Sequence, residues 1–171
     1  RRRIMKPANH QPRETEIRTR MQDVLREVDN GIRHDASAAA CAHLIGLDAF
    51  RHAAVVMLYT PLAHEVDLTA ATLRCFRTGK TVCVPRVNWR RRDMEPVEIT
   101  TFDDEAMALD ERGLPAPRTA APLPPSLVDL VVVPGLAFDA HGHRLGQGLR
   151  NYDRFLGRLR RSAVTVGMAF D

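Results

Sequence analysis

Cysteine is scarce in this chain. Its 171 residues hold three, Cys41, Cys75 and Cys83. The number is odd, the spacing is wide and there is no C-x-x-C pair, which argues against a disulfide framework and against a cysteine zinc site. A reducing cytoplasm suits such thiols best. Long apolar runs are also missing. No eighteen consecutive apolar residues occur, so no segment reads as a transmembrane helix. The opening "RRRIMKPANHQPR" is basic, but no apolar stretch follows, so it is not a secretory signal. Catalytic signatures are missing as well. There is no G-x-S-x-G elbow, and the three serines (Ser37, Ser126 and Ser162) have no nucleophile setting. The pattern GxxxxGK[ST] is absent, which removes the common phosphate loop. No internal repeat is visible.

What is present suits one globular domain. Hydrophobic residues make up 44% and charged residues 27%, enough for a sizeable core and too apolar for wholesale disorder. Residues 1–13 read as a flexible basic arm and 14–171 as a single domain. The net charge is +4. Its arginines are spread through the arm, "RVNWRRR" and "RFLGRLRR". A site for an anionic small molecule accounts for them as well as nucleic acid does, and nucleic acid is not the expected partner.

Helices and strands alternate. Ile17, Met21, Leu25 and Val28 predict an amphipathic helix over 14–28. Asp35 or Ser37 is placed to cap an alanine-rich helix through Leu44. "AAVVMLY" (53–59) reads as a buried strand. Asp67 is placed to cap a helix ending at Gly79. "KTVCVP" (80–85) reads as a strand stopped by Pro85. Between Pro85 and Leu127 lie seven of the eleven prolines. "VEITTF" is a candidate strand there and "DDEAMALD" a short helix. Such an excursion either covers a site or is a surface insertion. "VDLVVVPG" (128–135) has no period-two alternation, so both its faces are expected to be covered, as in a parallel sheet. Tyr152, Phe155, Leu156 and Leu159 form a helical stripe, and "AVTVGMAF" (163–170) a last strand. The fold class is α/β, a three-layer α/β/α sandwich with a mostly parallel central sheet.

Ligands on such sheets bind beyond the carboxyl ends of strands, which nominates the loop 134–151. It holds Gly135, Gly142, Gly146 and Gly148, with Arg144 and Arg150 as cations. Glycines admit a phosphate close to the backbone, and a plain turn is the competing reading. Asp153 is placed either to ligate Mg²⁺ or to cap the helix. Glu65, in "YTPLAHEVD" (59–67), is placed either to meet a polar ligand or, with Asp67, to start a helix. Asp139, His141 and His143 suggest a metal group or a solvated glycine turn.

Four segments in order carry a resemblance. They are the N-terminal helix with Arg18, "LYTPLAHEVD", "GKTVCVPRV" with the later Met94, and "DLVVVPGLAFDAHGHRLGQG…YDRFL". Together they resemble the 5-formyltetrahydrofolate cyclo-ligase family, also called methenyltetrahydrofolate synthetase, from about Glu14 to Asp171. The resemblance implies a reaction on a folate with ATP and Mg²⁺. ATP phosphorylates the formyl oxygen, N10 attacks the activated carbon, and phosphate leaves to give 5,10-methenyltetrahydrofolate. It implies Arg18, Arg144, Gly146, Gln147, Gly148 and Tyr152 at ATP. It implies Thr60, Glu65, Gln147, Gly148, Leu149, Arg150 and Asn151 at the folate, with Glu65 at the pterin. It implies Arg144 as a catalytic cation and Asp153 as the Mg²⁺ ligand; Arg150, which departs from the family pattern, is expected as a second catalytic cation, delivering the charge that the family's lysine no longer supplies.

The chain departs from the family pattern in several places. Glu14 stands where the family has lysine, Arg150 where it has the third loop glycine, and Asn151 where it has the first tyrosine of a pair. Ala116 stands where an acidic residue is common. The family's second metal-binding aspartate lies in a segment following the position of "GMAFD". These departures support an alternative expectation, a relative that binds folate or nucleotide without turnover.

Overall fold

The computed structural model describes residues 10–101, 107–118, 121–147 and 150–170. Fifteen elements follow one another, with nine strands, five α-helices and a single 3-10 turn among the described residues. Helix α1 runs from His10 to Glu27. It starts ahead of the expected residue 14, so the last residues assigned to the arm are helical; residues 1–9 lie outside the described residues. α2 spans Asn30–Gly46 and is capped by Asp29, whose Oδ1 accepts the Gly31 N–H at 2.7 Å. Asp35 and Ser37, expected as caps, lie inside this helix. Asp29 wins because its backbone is extended where the chain breaks between α1 and α2.

After α3 (Asp48–His52) comes β1 (Val55–Met57), shorter than the apolar run that predicts it. α4 spans Thr69–Arg77. Asp67 Oδ1 accepts from the Thr69 N–H and hydroxyl at 2.8 and 2.6 Å, and Gly79 closes the far end with φ +69°. That left-handed turn is one glycine adopts without steric cost. β2 (Thr81–Asn88) does not stop at Pro85. It continues against β3 (Asp93–Ile99), where Pro85 faces Pro96, and the pairing with β1 has already ended at Cys83. No ladder donor is needed from either proline there, so the strand tolerates them.

β4 (Met107–Leu109) and β5 (Pro115–Pro117) form a small hairpin. The short helix expected over "DDEAMALD" is therefore corrected at its C-terminal half, which is strand; residues 103–106 lie outside the described residues. β6 (Leu130–Pro134) leads to a second hairpin, β7 (Ala137–Phe138) with β8 (Arg144–Leu145). α5 (Asn151–Leu156) and β9 (Val164–Met168) close the chain.

The main sheet has the order β3-β2-β1-β6-β9, parallel except for the edge strand β3. Its central strands are buried on both faces, which explains their unbroken apolar runs. Leu130 and Val132 of β6 face one cluster, with Val56, Val82 and Val84, under Leu44, Ala71 and Cys75 of α2 and α4. Val131 and Val133 face the other, with Met57 and Cys83, under Phe155 of α5. Alternate residues thus bury in opposite layers, giving the three-layer sandwich. Asp129 ties the strand entrances together. Its Oδ2 accepts the Ala54 and Val55 N–H groups at 2.8 Å each, and its Oδ1 pairs with Arg160. No described helix is long and apolar enough to cross a membrane.

The chain builds outward from β1 through β2 to β3, then returns past β1 to β6 and β9. The direction reverses between β1 and β6. A crevice opens beyond the carboxyl ends of strands at such a reversal.

Candidate active site at the strand reversal

A cavity of about 140 Å³ lies at this crevice. Apolar cavities of roughly 150 Å³ take an aromatic ring. Tyr59, Thr60, Leu62 and Glu65 reach it from the segment after β1, and Pro134 from the end of β6. Arg144, Gln147, Arg150, Asn151 and Tyr152 reach it from the loop into α5. Pro85, Val87, Trp89 and Met94 come from β2, β3 and the turn between them, and the β4–β5 hairpin adds Asp110, Leu114, Pro115 and Ala116. The proline-rich excursion therefore covers a site. Trp89 and Asp110 have no motif that announces them. Trp89 Nε1 donates to Asp110 Oδ2 at 2.7 Å, and the Arg112 guanidinium lies 4.3 Å from the indole centroid.

Glu65 and Asp67 serve different ends. Asp67, one residue ahead of the cap position Leu68, holds Thr69 at the start of α4, while Glu65 turns into the cavity. Its Oε2 accepts the Leu62 N–H at 3.0 Å. Burial raises its pKa above the ordinary carboxylate range, and the Leu62 bond, His64, Gln147 and Arg144 offset this only in part. Gln147 Nε2 sits 2.7 Å from His64 Nε2, joining the two loops that meet at the crevice.

Arg144 is the anchored cation. It donates to the Pro134 carbonyl at 3.1 Å and to Asp153 Oδ1 at 2.8 Å, and it lies 5.4 Å from the Tyr152 ring centroid. Gly146 makes room for it, since a Cβ there would sit 2.4 Å from the Arg144 Nη1. Arg18 reaches across from α1, donating from Nε to the Gly146 carbonyl at 2.9 Å. It holds the loop that carries Arg144. Arg33 fixes the other side, donating to the Ala63 carbonyl at 2.6 Å.

Two buried hydroxyls, Thr60 Oγ1 and Tyr152 Oη, have no hydrogen-bond partner among the described residues. Leaving a buried polar group unpaired costs about 1–3 kcal/mol. Both line the cavity, so a ligand entering it would supply the missing partners. Burial also pushes the Tyr152 phenol well above its usual pKa, with Glu65 adding to the effect and Arg144 opposing it. The phenol is therefore a hydrogen-bond donor and not a base at neutral pH.

Arg150 precedes α5 with φ +54°. A left-handed backbone costs a non-glycine residue about 1 kcal/mol. α5 is only six residues long, so its dipole adds little at the loop. Gly148 and Leu149 lie outside the described residues. Asp139 belongs to a separate turn. It accepts the His141 and His143 N–H groups at 2.8 and 2.9 Å and pairs with His143 Nδ1 at 2.8 Å. Among the described residues no three His, Cys, Asp or Glu side chains are grouped to hold a metal ion.

The site thus combines a mostly apolar cleft, one partly buried carboxylate, unpaired hydroxyls and arginines along one wall. That places the chain in a class, α/β proteins with a cleft at the strand reversal, and the lining suits a polar ring compound together with an anion. The sequence profile of the 5-formyltetrahydrofolate cyclo-ligase family matches residues 10–171. The chain belongs to that family. It is 25% identical over 148 residues to the mouse 5-formyltetrahydrofolate cyclo-ligase, covering 83% of this chain and 72% of that protein. It is 26% identical over 158 residues to the Haemophilus influenzae enzyme of the same name, covering 91% and 84%. The Aquifex aeolicus 5,10-methenyltetrahydrofolate synthetase structure superposes with a TM-score of 0.78 at 28% identity, over 91% of this chain and 77% of that one. A Mycoplasma pneumoniae structure, 16% identical with a TM-score of 0.72 over 90% and 83%, shares the fold.

Proposed function

We infer that the chain is an ATP-dependent ligase of folate metabolism, converting 5-formyltetrahydrofolate to 5,10-methenyltetrahydrofolate. ATP transfers its terminal phosphoryl group to the formyl oxygen and leaves as ADP. N10 then attacks the activated carbon, and phosphate departs with the former formyl oxygen. The observation that carries this reading is the family match through the whole described cleft, residues 10–171.

Residue roles follow as proposals. Glu65 takes the ring donors of the pterin, supported by its partial burial and its turn into the apolar cleft. Thr60 and Asn151 line the folate side, with Gln147 between folate and nucleotide. Arg144 stabilises charge on the transferring phosphoryl, where a positioned cation contributes most. Gly146 lets the loop approach it, Arg18 holds that loop, and Tyr152 donates its unpaired hydroxyl. Asp153 fits Mg²⁺. The ion bound with phosphates takes one or two protein carboxylates and completes its shell with water. Asp153 is about half exposed, with one oxygen on Arg144. Mg²⁺ there would neutralise phosphate charge. We place the reaction in the cytoplasm, in keeping with three buried free thiols.

The test is appearance of methenyl product by absorbance, with ATP and Mg²⁺ each omitted in turn, for wild type and Asp153→Ala. ATP- and Mg²⁺-dependent product from wild type, lost in the variant, is the expected result. A folded wild type as inactive as the variant would favour a relative that binds without turnover.

A further inference from the structure

Two described residues other than glycine have a left-handed backbone, Arg92 at φ +52° and Arg150 at φ +54°. Arg92 turns the β2–β3 hairpin, and its carbonyl accepts Arg154 Nε at 2.7 Å. The hairpin explains it. Arg150 turns no hairpin, and a glycine would occupy its backbone without strain.

Nearby arginines are engaged by the protein itself. Arg18 holds the Gly146 carbonyl, Arg144 holds Pro134 and Asp153, and Arg154 holds Arg92 and Asn151. The Arg150 side chain makes no hydrogen bond, ion pair or ring contact with any described residue. It is exposed, yet it lines the cleft beside Arg144 and Tyr152. Arg144 is already partly neutralised by Asp153 at 2.8 Å. Arg150 is therefore the more available cation at this wall. A strained residue without a partner among the described residues fits a partner that arrives with the ligand.

We propose that Arg150 binds the phosphate chain of the nucleotide, as a second cation beside Arg144, and that its strained backbone is what places it there. The proposal rests on the cyclo-ligase reading above. Charge-assisted bonds from arginine to phosphate are strong and geometrically specific. Removing the side chain should weaken phosphate binding and, where glycine replaces it, relieve the fold. Stability and affinity then move in opposite directions, which a purely structural arginine would not produce.

Two variants separate strain from charge. Arg150→Gly removes both; Arg150→Gln removes charge and keeps the strained position. Binding of inorganic tripolyphosphate and of ATP is followed by fluorescence of Trp89, the only tryptophan, which lines the cleft. Melting temperatures and steady-state constants accompany it. Arg150→Gly is expected to melt about 1–3 °C higher than wild type. It should bind tripolyphosphate about tenfold more weakly, with KM for ATP raised and KM for folate unchanged. Arg150→Gln should lose the same affinity without the gain in melting temperature. Wild-type tripolyphosphate affinity in both variants, or a loss confined to folate, would overturn the proposal while leaving a turning-over cyclo-ligase intact. A wild type that neither binds ATP nor forms product would overturn the reading beneath it as well.

Discussion

Two carboxylates in this molecule meet opposite treatment. Asp139, in the turn between β7 and β8, is exposed and surrounded by donors from its own loop. Its pKa is lowered, chiefly by the His143 side-chain bond and then by backbone N–H groups. Glu65, in the cleft, is partly buried with one backbone donor, and its pKa is raised. The first region is chemically complete. The second has hydrogen-bonding capacity to spare, in Glu65, Thr60 and Tyr152, along a mostly apolar cleft. A turn spends its polar groups on itself, while a site leaves them for something else.

The largest test of that contrast is Glu65→Gln. Turnover should fall about 100-fold or more, since a charged partner for buried ring donors is lost. Its melting temperature should hold or rise, because a partly desolvated carboxylate is removed. Next, Tyr152→Phe should raise the fold's stability by about 1 kcal/mol, read by urea unfolding, because an unpaired buried hydroxyl disappears. The same change should raise a substrate KM by roughly fivefold to tenfold. Asp139→Ala should do the reverse. The melting temperature falls by roughly 2–4 °C, and kcat and KM stay at wild-type values. A large kinetic loss in Asp139→Ala would break the comparison.

The smallest expected effect is in pH dependence, where the two groups have opposite signs. For Glu65 the folded pKa lies above the unfolded value, near 4.3. The folded state binds more protons in that window, so stability falls as pH rises from about 4 through the folded pKa. For Asp139 the folded pKa is the lower one. Its contribution is present above about 4 and is lost as pH falls through the folded value. Melting curves of Glu65→Gln and Asp139→Ala against wild type between about pH 3 and 7 read both slopes; slopes of the same sign would refute the assignment.

Legibility in the sequence followed the range of the interactions. The run Leu130 to Val133 announces a strand buried on both faces, because apolar residues at every position have nowhere else to go. The glycines and arginines of 142–150 announce an unusual loop. Local competition was harder to read. Asp29, Asp35 and Ser37 are all competent caps, and the chain break after α1 decides for Asp29. Pro85 is a sound stop signal for a strand, overridden because Pro96 faces it across an edge pair. Met107–Leu109 carries no period that separates strand from helix, and pairing with Pro115–Pro117 decides it. Trp89 and Asp110 stand in the cleft wall only because the β4–β5 hairpin folds back over β2.

The sequence by itself determined the alternation of strands and helices, the two-sided burial of the sheet and the family landmarks at Arg18, Glu65, Arg144, Tyr152 and Asp153. The first two rest on side-chain chemistry and short periodicity, which the chain carries locally, and the landmarks rest on resemblance to the family's motifs. Tertiary structure alone decided that Glu65 is partly buried in the cleft while Asp67 holds the start of a helix, that Arg144 is shared with Asp153, and that Arg150 stands strained and without a partner among the described residues. Those properties belong to the meeting of β1 and β6 at the strand reversal. Burial and partners are set by what the fold brings alongside, and residues distant in sequence supply both.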